Sequence, residues 1–373
     1  MFSKLGLTGL LQGAFFGVAL DKGDVAEPKV IRDQLKFKQM TMLKMFLSAV
    51  ASGTLVVAAM KYMGLYRSVE IDRVEVVAQL LGAPLLGAGM YVAGACPGTV
   101  FAQLGGGVQS APYILAGGFS ASALYALLYP WLLRTPIFTK GVFETLTLPE
   151  LTGIPHWILA LSMSGMVAGL LYGVEQFYPT PKAKPEGAAR SISTLHRITT
   201  WSPYLSGLIV GLLEIPSIFF VNAMLGTSTA YTTLLGEGLA LVWPSVKSNA
   251  FIAKSTGHPW HYWQIALNTG IVLGSFASAY LSGKRHHNQQ PSLALSPYGK
   301  LTSFLGGLLL LFGARLAGGC PSGHGISGMS QLALSAFVVV PAMFAGGMLA
   351  AWLWPDLDKS AYVAQHKVEE KRE

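Results

Sequence analysis

The two cysteines of the chain, Cys96 and Cys320, are the residues whose type and setting are best suited to chemistry. Each lies in an apolar, glycine-rich stretch and is followed at once by proline, then by glycine or Ser-Gly. A thiol is a soft, weak hydrogen-bond donor and acceptor, which suits a polarisable ligand. Buried free cysteine is also common as a small apolar residue. The matching Cys-Pro settings favour a shared function over that alternative.

The Cys-Pro pairs predict breaks between helices. Proline is excluded from helix interiors but favoured in the first turn. Pro97 and Pro321 should therefore each open a short helix, over about 97–105 and 321–332. A helix start offers unpaired N–H groups and a partial positive charge, which together bind anions. The candidate anion-binding residues are Cys96, Pro97, Gly98, Cys320, Pro321, Ser322, Gly323 and His324.

Several nearby side chains have two interpretations each. Arg315 lies five residues before Cys320 in an apolar run, where it either attracts the anion or pairs with a backbone carbonyl. Ser322 and His324 either bond the ligand or cap the short helix. Glu214 is a candidate proton site, with a structural hydrogen bond as the alternative.

The composition defines the class of protein. Hydrophobic residues make up 52% of the 373 residues and charged residues only 12%, with a mean hydropathy of +0.48. Soluble domains carry about 25% charged residues, so the sequence predicts a membrane protein. The net charge of +8 comes from short basic stretches between apolar runs, which is typical of the flanks of membrane spans rather than of nucleic-acid binding.

Other classes of site have no support in the sequence. Two cysteines exclude a secreted disulfide scaffold. His258, His261, His286 and His287 lie near predicted span ends with no cysteine close in sequence, so no metal site is predicted. P-loop, GxSxG and HExxH motifs do not occur. We therefore predict neither an enzyme nor a cofactor.

Runs of about 20 apolar residues, the length that crosses a bilayer, place the elements around the cysteines. Nine spans are predicted, near 3–20, 39–63, 74–94, 111–133, 154–177, 201–222, 262–282, 300–318 and 333–354. The segment 224–260 is apolar but broken by glycine and proline, and it is long enough to hide a further span. Gly9, Gly13 and Gly17 form a stripe of small residues that predicts close helix packing.

The two halves of the chain repeat each other weakly. LGAPLLGAGMYVAGACPG (81–98) aligns with LGGLLLLFGARLAGGCPS (305–322), and TGLLQG (8–13) aligns with SGLIVG (206–211). The predicted units are a first transmembrane half over 1–178, a polar linker over 179–199, a second half over 200–355 and a charged tail over 356–373. The cysteines follow the third and eighth spans, so the two copies must run in opposite directions. Inverted repeats place the functional site near the midplane, where broken helices meet.

We therefore expect an all-α membrane protein in which two inverted repeats supply short re-entrant half-helices that form an hourglass. Basic residues are more frequent in loops that follow odd-numbered spans. By the positive-inside rule the N-terminus lies outside and the C-terminus in the cytoplasm. The predicted location is the plasma (inner) membrane.

The segments GAGMYVAGACPGT (87–99), FGARLAGGCPSGHGISG (312–328) and GVALDKGDVAEPKVIRDQLKF (17–37) resemble the YeeE/YedE family of sulfur-transport membrane proteins. The resemblance implies uptake of thiosulfate or a related sulfur anion, with the ion handed between Cys96 and Cys320 by S–H···S contacts. It also implies a small cytoplasmic sulfur-carrier protein as a partner. The resemblance also implies a further cysteine in the first-repeat segment, but the corresponding stretch around Asp24 to Pro28 contains none, with Ala26 the nearest residue, so a relay in this chain has one station fewer.

Two other functions remain open at the level of sequence. The first is a membrane thiol oxidoreductase in which Cys96 and Cys320 form a redox pair, although no Cys-x-x-Cys motif is present. The second is a passive channel for another small anion.

Overall fold

A computed structural model describes residues 2–66, 73–143, 146–180, 200–223, 225–257, 259–289, 295–355 and 357. The predicted polar linker, apart from residues 179 and 180, lies outside the described residues. The predicted tail, apart from Leu357, also lies outside them, as does His258.

The first half contains nine helices and two very short strands within its described residues. They are α1 (Phe2–Lys22), α2 (Pro28–Leu35), α3 (Thr41–Tyr62), β1 (Val74–Glu75), α4 (Val76–Ala93), α5 (Thr99–Gly106), α6 (Ala111–Leu132), α7 (Pro136–Thr139), β2 (Val142–Phe143), α8 (Leu148–Thr152) and α9 (His156–Phe177). The strands pair antiparallel, with Val74 opposite Phe143 and Glu75 opposite Val142.

The second half is also helical over its described residues. Its elements are α10 (Pro203–Leu212), α11 (Glu214–Pro216), the π-helix π1 (Ser217–Val221), α12 (Thr229–Ala240), a 3₁₀ turn (Pro244–Ser248), α13 (Ala250–Ala253), α14 (Pro259–Leu281), α15 (Lys284–Asn288), α16 (Pro297–Leu316), the π-helix π2 (Pro321–Gly328) and α17 (Leu334–Leu353).

Seven helical segments in the described part of the chain are long and apolar enough to cross a membrane. They are α3, α4, α6, α9, the continuous run Pro203–Val221, α16 and α17. The prediction of an all-α membrane protein is therefore confirmed. The nine predicted spans also include α1 and α14, which have 21 and 23 residues but carry more polar side chains. The count of nine stays a prediction.

Two local expectations need correction. The apolar segment 224–260 contains no helix of span length in its described residues, because α12 has only 12 residues and is followed by a 3₁₀ turn at Pro244. The short helices also differ from their predicted bounds. α5 begins at Thr99, two residues after Pro97, and the helix that Pro321 opens is π rather than α and ends at Gly328.

Glycines let pairs of long helices contact backbone to backbone. A Cβ added at Gly13 would overlap the Leu267 carbonyl of α14, and one added at Gly9 or Gly17 would overlap the carbonyls of Trp263 and Ile271. The stripe of small residues in α1 is therefore a packing surface, as the sequence predicted. Close approach of this kind is how transmembrane helices gain van der Waals contact in the absence of a hydrophobic driving force.

The main helix contacts join the two halves of the chain in matching pairs. α1 packs on α14, and α10 packs on α3; α4 packs on α17, and α16 packs on α6. Helices α4 and α16 pack on each other at the centre. α5 contacts α14, while π2 contacts α3. Each half therefore completes its packing with helices of the other half, and α9 lies outside this scheme, against α3.

We expect Gly13→Ala to destabilise the protein, because the added methyl would overlap the backbone of α14. Overpacking of this kind costs about 1–3 kcal/mol. Gly6→Ala is the matched control, since no atom lies within 4 Å of the added Cβ in the same helix. Thermal unfolding in detergent measures both variants. Equal unfolding temperatures would contradict the packing described for α1 and α14.

Candidate functional site

Cys96 lies in the connection between α4 and α5, where the backbone leaves the helical path. Gly94 ends α4 in the left-handed conformation, with φ of 66°, which glycine adopts at little cost. The Gln103 side chain donates to the Gly94 carbonyl at 2.7 Å and satisfies it. The Cys96 N–H donates to Thr99 Oγ1 at 2.6 Å, and the Thr99 N–H donates to Cys96 Sγ at 3.3 Å. The thiol is thereby fixed at the start of α5.

Cys320 occupies the corresponding position after α16. Gly318 is left-handed with φ of 85°, and π2 begins at the next proline, Pro321. Cys320 Sγ lies 3.1 Å from Ser322 Oγ. Both sulfurs therefore lie just before a short helix and contact a side chain or backbone group of its first turn.

Thr227 joins the two Cys-Pro segments. Its Oγ1 lies 3.6 Å from Cys320 Sγ and 3.3 Å from Ser322 Oγ. A Cβ added at Gly98 would lie 3.1 Å from the same oxygen. The Asn268 side chain donates to the Thr227 carbonyl at 2.9 Å and holds this connection in place.

Tyr231 adds a second link, because its hydroxyl donates to the Pro97 carbonyl at 3.2 Å. Its ring packs against Phe101 and Phe119. Sequence reasoning missed Thr227 and Tyr231, since they lie in a segment whose broken apolar pattern gave no signal.

A cavity of about 50 Å³ lies beside the first cysteine. Cys96, Gly98 and Thr99 line one wall, and Pro321 and Ser322 line another. The remaining walls are apolar side chains of α1, α3, α10 and neighbouring segments, including Met42, Met45, Phe46 and Ile326. Cys320 does not line this cavity, but its sulfur contacts Ser322, which does. The structure thus brings the two predicted Cys-Pro segments to one place, with Cys96 the more accessible thiol.

Two predicted side chains lie elsewhere. His324 is buried, its Nε2 is 3.1 Å from the Ala317 carbonyl, and its ring covers the backbone of Gly319. This contact satisfies a carbonyl at the end of α16, and His324 is not among the residues that line the cavity. Arg315 is half-buried in the last turn of α16, within electrostatic range of Tyr125 and Tyr231.

Glu214 is fully buried between α10 and π1. Its carboxyl accepts the backbone N–H of Leu225 at 3.3 Å and lies 2.7 Å from Ser327 Oγ in π2. The sequence marked Glu214 as a candidate proton site but not its contact with the Cys320 half-helix.

Ala26, the residue nearest to where the family resemblance implies a further cysteine, lies beside a charged cluster. Lys284 Nζ donates to the Asp21 carbonyl at 2.9 Å and to Asp24 Oδ1 at 3.0 Å. Burial raises the pKa of the neighbouring Glu27 carboxyl, and the Asp24 charge adds to that shift. Ala26 does not line the cavity at Cys96, whereas the adjacent Val25 does.

The other end of α5 opens on a larger space. Arg285 donates to the Gly105 carbonyl and Asn288 donates to the Gly106 carbonyl at 3.1 Å, so two side chains cap the C-terminus of the half-helix. Next to these caps lies a cavity of about 690 Å³, lined in part by Arg285 and Lys300. Its basic side chains suit an aqueous space that attracts anions.

Paired Cys-Pro breaks beside a small cavity in a helical membrane protein are typical of transporters. Sequence comparison identifies the family. The profile of the family described as sulphur transport matches residues 22–349. The chain therefore belongs to this family, and the resemblance to YeeE/YedE proteins is confirmed.

Two relatives span nearly the whole chain. A protein of Spirochaeta thermophila named thiosulfate transporter TsuA is 25% identical over 360 residues, which is 93% of this chain and 98% of that protein. A protein of Escherichia coli with the same name is 24% identical over 364 residues, which is 95% of each chain.

We expect His324→Ala to lower stability by about 1–3 kcal/mol, because the Ala317 carbonyl would lose its partner inside the protein. His286→Ala is the matched control, since His286 is exposed in α15. Thermal unfolding of the purified variants is the measurement. An unchanged unfolding temperature for His324→Ala would contradict this structural role of the imidazole.

Proposed function

We propose that this protein takes up a small sulfur-containing anion across the plasma membrane, and that this anion is thiosulfate. The observation that carries the proposal is the convergence of the two Cys-Pro segments on Thr227. Each segment holds its thiol just before the start of a short helix. The names of the two full-length relatives support thiosulfate as the substrate. Family membership supports transport of sulfur compounds in general.

We further propose that the chain has nine spans in two inverted repeats, over 1–178 and 200–355. The reciprocal helix pairs support this arrangement, since α1, α3, α4 and α6 then correspond to α10, α14, α16 and α17. Backbone conformation supports it as well. Gly94 and Gly318, which the cysteine segments align, are both left-handed. Asp24 and Asn222, which extend the alignment of 8–13 with 206–211, have φ of 59° and 58°.

In this proposal the anion passes through an hourglass whose waist is the contact between the two Cys-Pro segments. The cavity at Cys96 forms one side of the waist, and Thr227 and Ser322 separate it from Cys320. The terminal sulfur of thiosulfate accepts S–H from one thiol and then from the other. Thiols are weak donors, so the ion is held at each station without being trapped.

Positive potential at the waist comes from the helix starts. The cavity is lined by no acidic or basic side chain among the described residues, so the backbone N–H groups after each cysteine supply the attraction. Arg315 contributes from the end of α16, at longer range. An anion held by dipoles rather than by a full ion pair is released more easily.

Orientation follows from the basic loops: the N-terminus lies outside and the C-terminus in the cytoplasm. The basic cavity next to α5 then lies on the cytoplasmic side, where the anion leaves. A small cytoplasmic sulfur-carrier protein, implied by the family resemblance, would receive the sulfur compound there. The relay in this chain runs through two cysteines, because Ala26 supplies no third thiol.

The alternatives are less well supported. A thiol oxidoreductase would need Cys96 and Cys320 to approach each other directly, but the side chains of Thr227 and Ser322 lie against Cys320. A channel for another anion differs from a thiosulfate transporter in its selectivity. Competition of thiosulfate uptake by sulfate, sulfite or nitrite distinguishes these two functions.

The function is tested by growth on thiosulfate of a bacterial strain that cannot take up sulfate. Expression of this protein should restore growth and uptake of labelled thiosulfate. Failure of a well-expressed protein to restore either would overturn the proposed function.

We expect Cys96→Ala and Cys320→Ala each to lower thiosulfate uptake by roughly tenfold or more, because loss of about 1.4 kcal/mol at the waist corresponds to a factor of ten. Replacement of a thiol by a methyl group is a small change in volume, so the fold should persist. Initial uptake rates in cells are compared with expression level and unfolding temperature. Normal uptake by both variants would rule out the thiol relay.

We expect Gly323→Val to impair uptake even with both thiols present. No atom lies within 4 Å of an added Cβ at Gly323, so the larger side chain fits but occupies space at the start of π2. Gly165→Val is the matched control, because its added Cβ also has no neighbour within 4 Å and the residue is exposed on α9. Uptake is measured for both.

The same experiment separates the helix start from Arg315 as the source of attraction. If Arg315 alone attracted the anion, Arg315→Gln would abolish uptake while Gly323→Val kept the activity of the Gly165→Val control. That pair of results would contradict anion binding at the start of π2.

A further inference from the structure

Glu214 is the one acidic side chain in the described residues with no exposed surface at all. It lies within the apolar run Pro203–Val221, at the point where α10 ends and the chain continues through α11 into π1. Pro216 has no N–H to donate to the preceding turn, which explains why the helix changes its winding here. A carboxyl at such a place in a membrane span is costly and usually functional.

No basic side chain forms a salt bridge with Glu214 in the described part of the chain. The groups around it are neutral: Ser327 of π2, the backbone of Leu225, and the α3 residue Gly53. Titratable side chains on the surrounding elements have other partners. His324 contacts the Ala317 carbonyl, and Lys44 and Tyr204 donate to Glu175. Lys61 lies over the Tyr66 ring, and Asp21 accepts from Ser278. Burial of an unpaired carboxylate strongly favours its neutral, protonated form.

The hydrogen count at Ser327 leads to the same protonation state. Ser327 Oγ lies 2.7 Å from Glu214 Oε1 and 2.8 Å from the Leu225 carbonyl oxygen. A serine hydroxyl has one hydrogen to donate, and a carbonyl has none. If Ser327 donates to Leu225, then the hydrogen between Ser327 and Glu214 must come from a protonated Glu214. Both short contacts are satisfied together only in that state.

This network reaches the cysteine site through two segments. Ser327 lies in π2, the half-helix that begins after Cys320. Leu225 lies two residues before Thr227, whose hydroxyl contacts Cys320 Sγ and Ser322 Oγ. The Ser327–Leu225 hydrogen bond therefore ties the half-helix to the connection that completes the waist. Loss of the Glu214 proton would draw the Ser327 hydrogen to the carboxylate and release the Leu225 carbonyl.

We propose that Glu214 is the proton-binding site that couples uptake of the sulfur anion to the proton gradient. Glu214 binds one proton from the outer side while the Ser327–Leu225 bond holds the waist in its resting arrangement. It releases that proton to the cytoplasmic side together with the anion, and the carboxylate then takes the Ser327 hydrogen bond. The coupling rests on the proposed thiosulfate transport, and it supplies the driving force that the thiol relay alone does not.

Proton coupling is tested by uptake of labelled thiosulfate into vesicles that contain the purified protein. Equal potassium concentrations and valinomycin hold the membrane potential at zero. An outer pH one unit below the inner pH should let the wild type concentrate thiosulfate up to about tenfold, the limit for one proton per anion. Glu214→Gln should reach only equal concentrations on both sides. It should still exchange labelled for unlabelled thiosulfate, which needs no net proton movement.

The glutamine variant suits this test because its amide matches the protonated acid, with Nε2–H able to donate to Ser327 and Oε1 able to accept from Leu225. Glu237→Gln is the matched control, since Glu237 pairs with Lys247 at the surface and its loss should leave concentration by the pH gradient intact. A second measurement needs no variant. A pH dye inside the vesicles should report acidification when a thiosulfate gradient drives influx through the wild type.

The outcomes separate the two levels of the proposal. Absence of any thiosulfate exchange by the wild type would overturn the proposed function. Exchange without concentration by the pH gradient, or influx without acidification, would overturn proton coupling and leave thiosulfate transport standing. Concentration by Glu214→Gln to the wild-type level would show that Glu214 is not the coupling site.

Discussion

The structure depends on one constraint: backbone groups that a broken helix leaves unpaired within a membrane must find partners inside the protein. The chain breaks twice beside its cysteines, and a side chain satisfies a carbonyl at each break. Gln103 donates to Gly94 at the end of α4, and His324 contacts Ala317 at the end of α16. Arg285 does the same at the far end of α5. These side-chain contacts stabilise the irregular backbone that presents the thiols.

Close packing of α4 on α16 brings the two breaks close together. A Cβ at Gly82 or Gly89 would overlap the backbone of α16, and one at Gly306 or Gly313 would overlap that of α4. The two helices that lead into the cysteines therefore touch along their glycine faces. Larger residues there would push the helices apart and separate Thr227 from one of the two segments that it joins. The geometry of the waist thus depends on glycines, because only residues without a side chain let the two helix backbones approach this closely.

Much of this could be predicted from the sequence, because apolar runs and Cys-Pro breaks are local signals. Within the described residues, all seven helical segments long and apolar enough to cross a membrane fall at predicted positions, and Cys96 and Cys320 do lie at breaks. Thr227 could not be predicted, since its contact with Cys320 crosses 93 residues and depends on how the halves pack. The π-helix after Pro321 could not be predicted either. A proline marks where a helix begins, but it does not show whether the helix is α or π.

The chemistry of the waist and the position of Glu214 fit together electrostatically. In the proposed mechanism, a cavity lined by no charged side chain among the described residues holds the dianion mainly through N–H dipoles and thiols, so the barrier to its passage rises with the charge that it carries across. A proton that moves with the anion removes part of that net charge. Glu214 lies outside the cavity lining yet shares Ser327 with the half-helix of Cys320. It can therefore change the waist through a hydrogen bond without placing a second negative charge in the path of the anion.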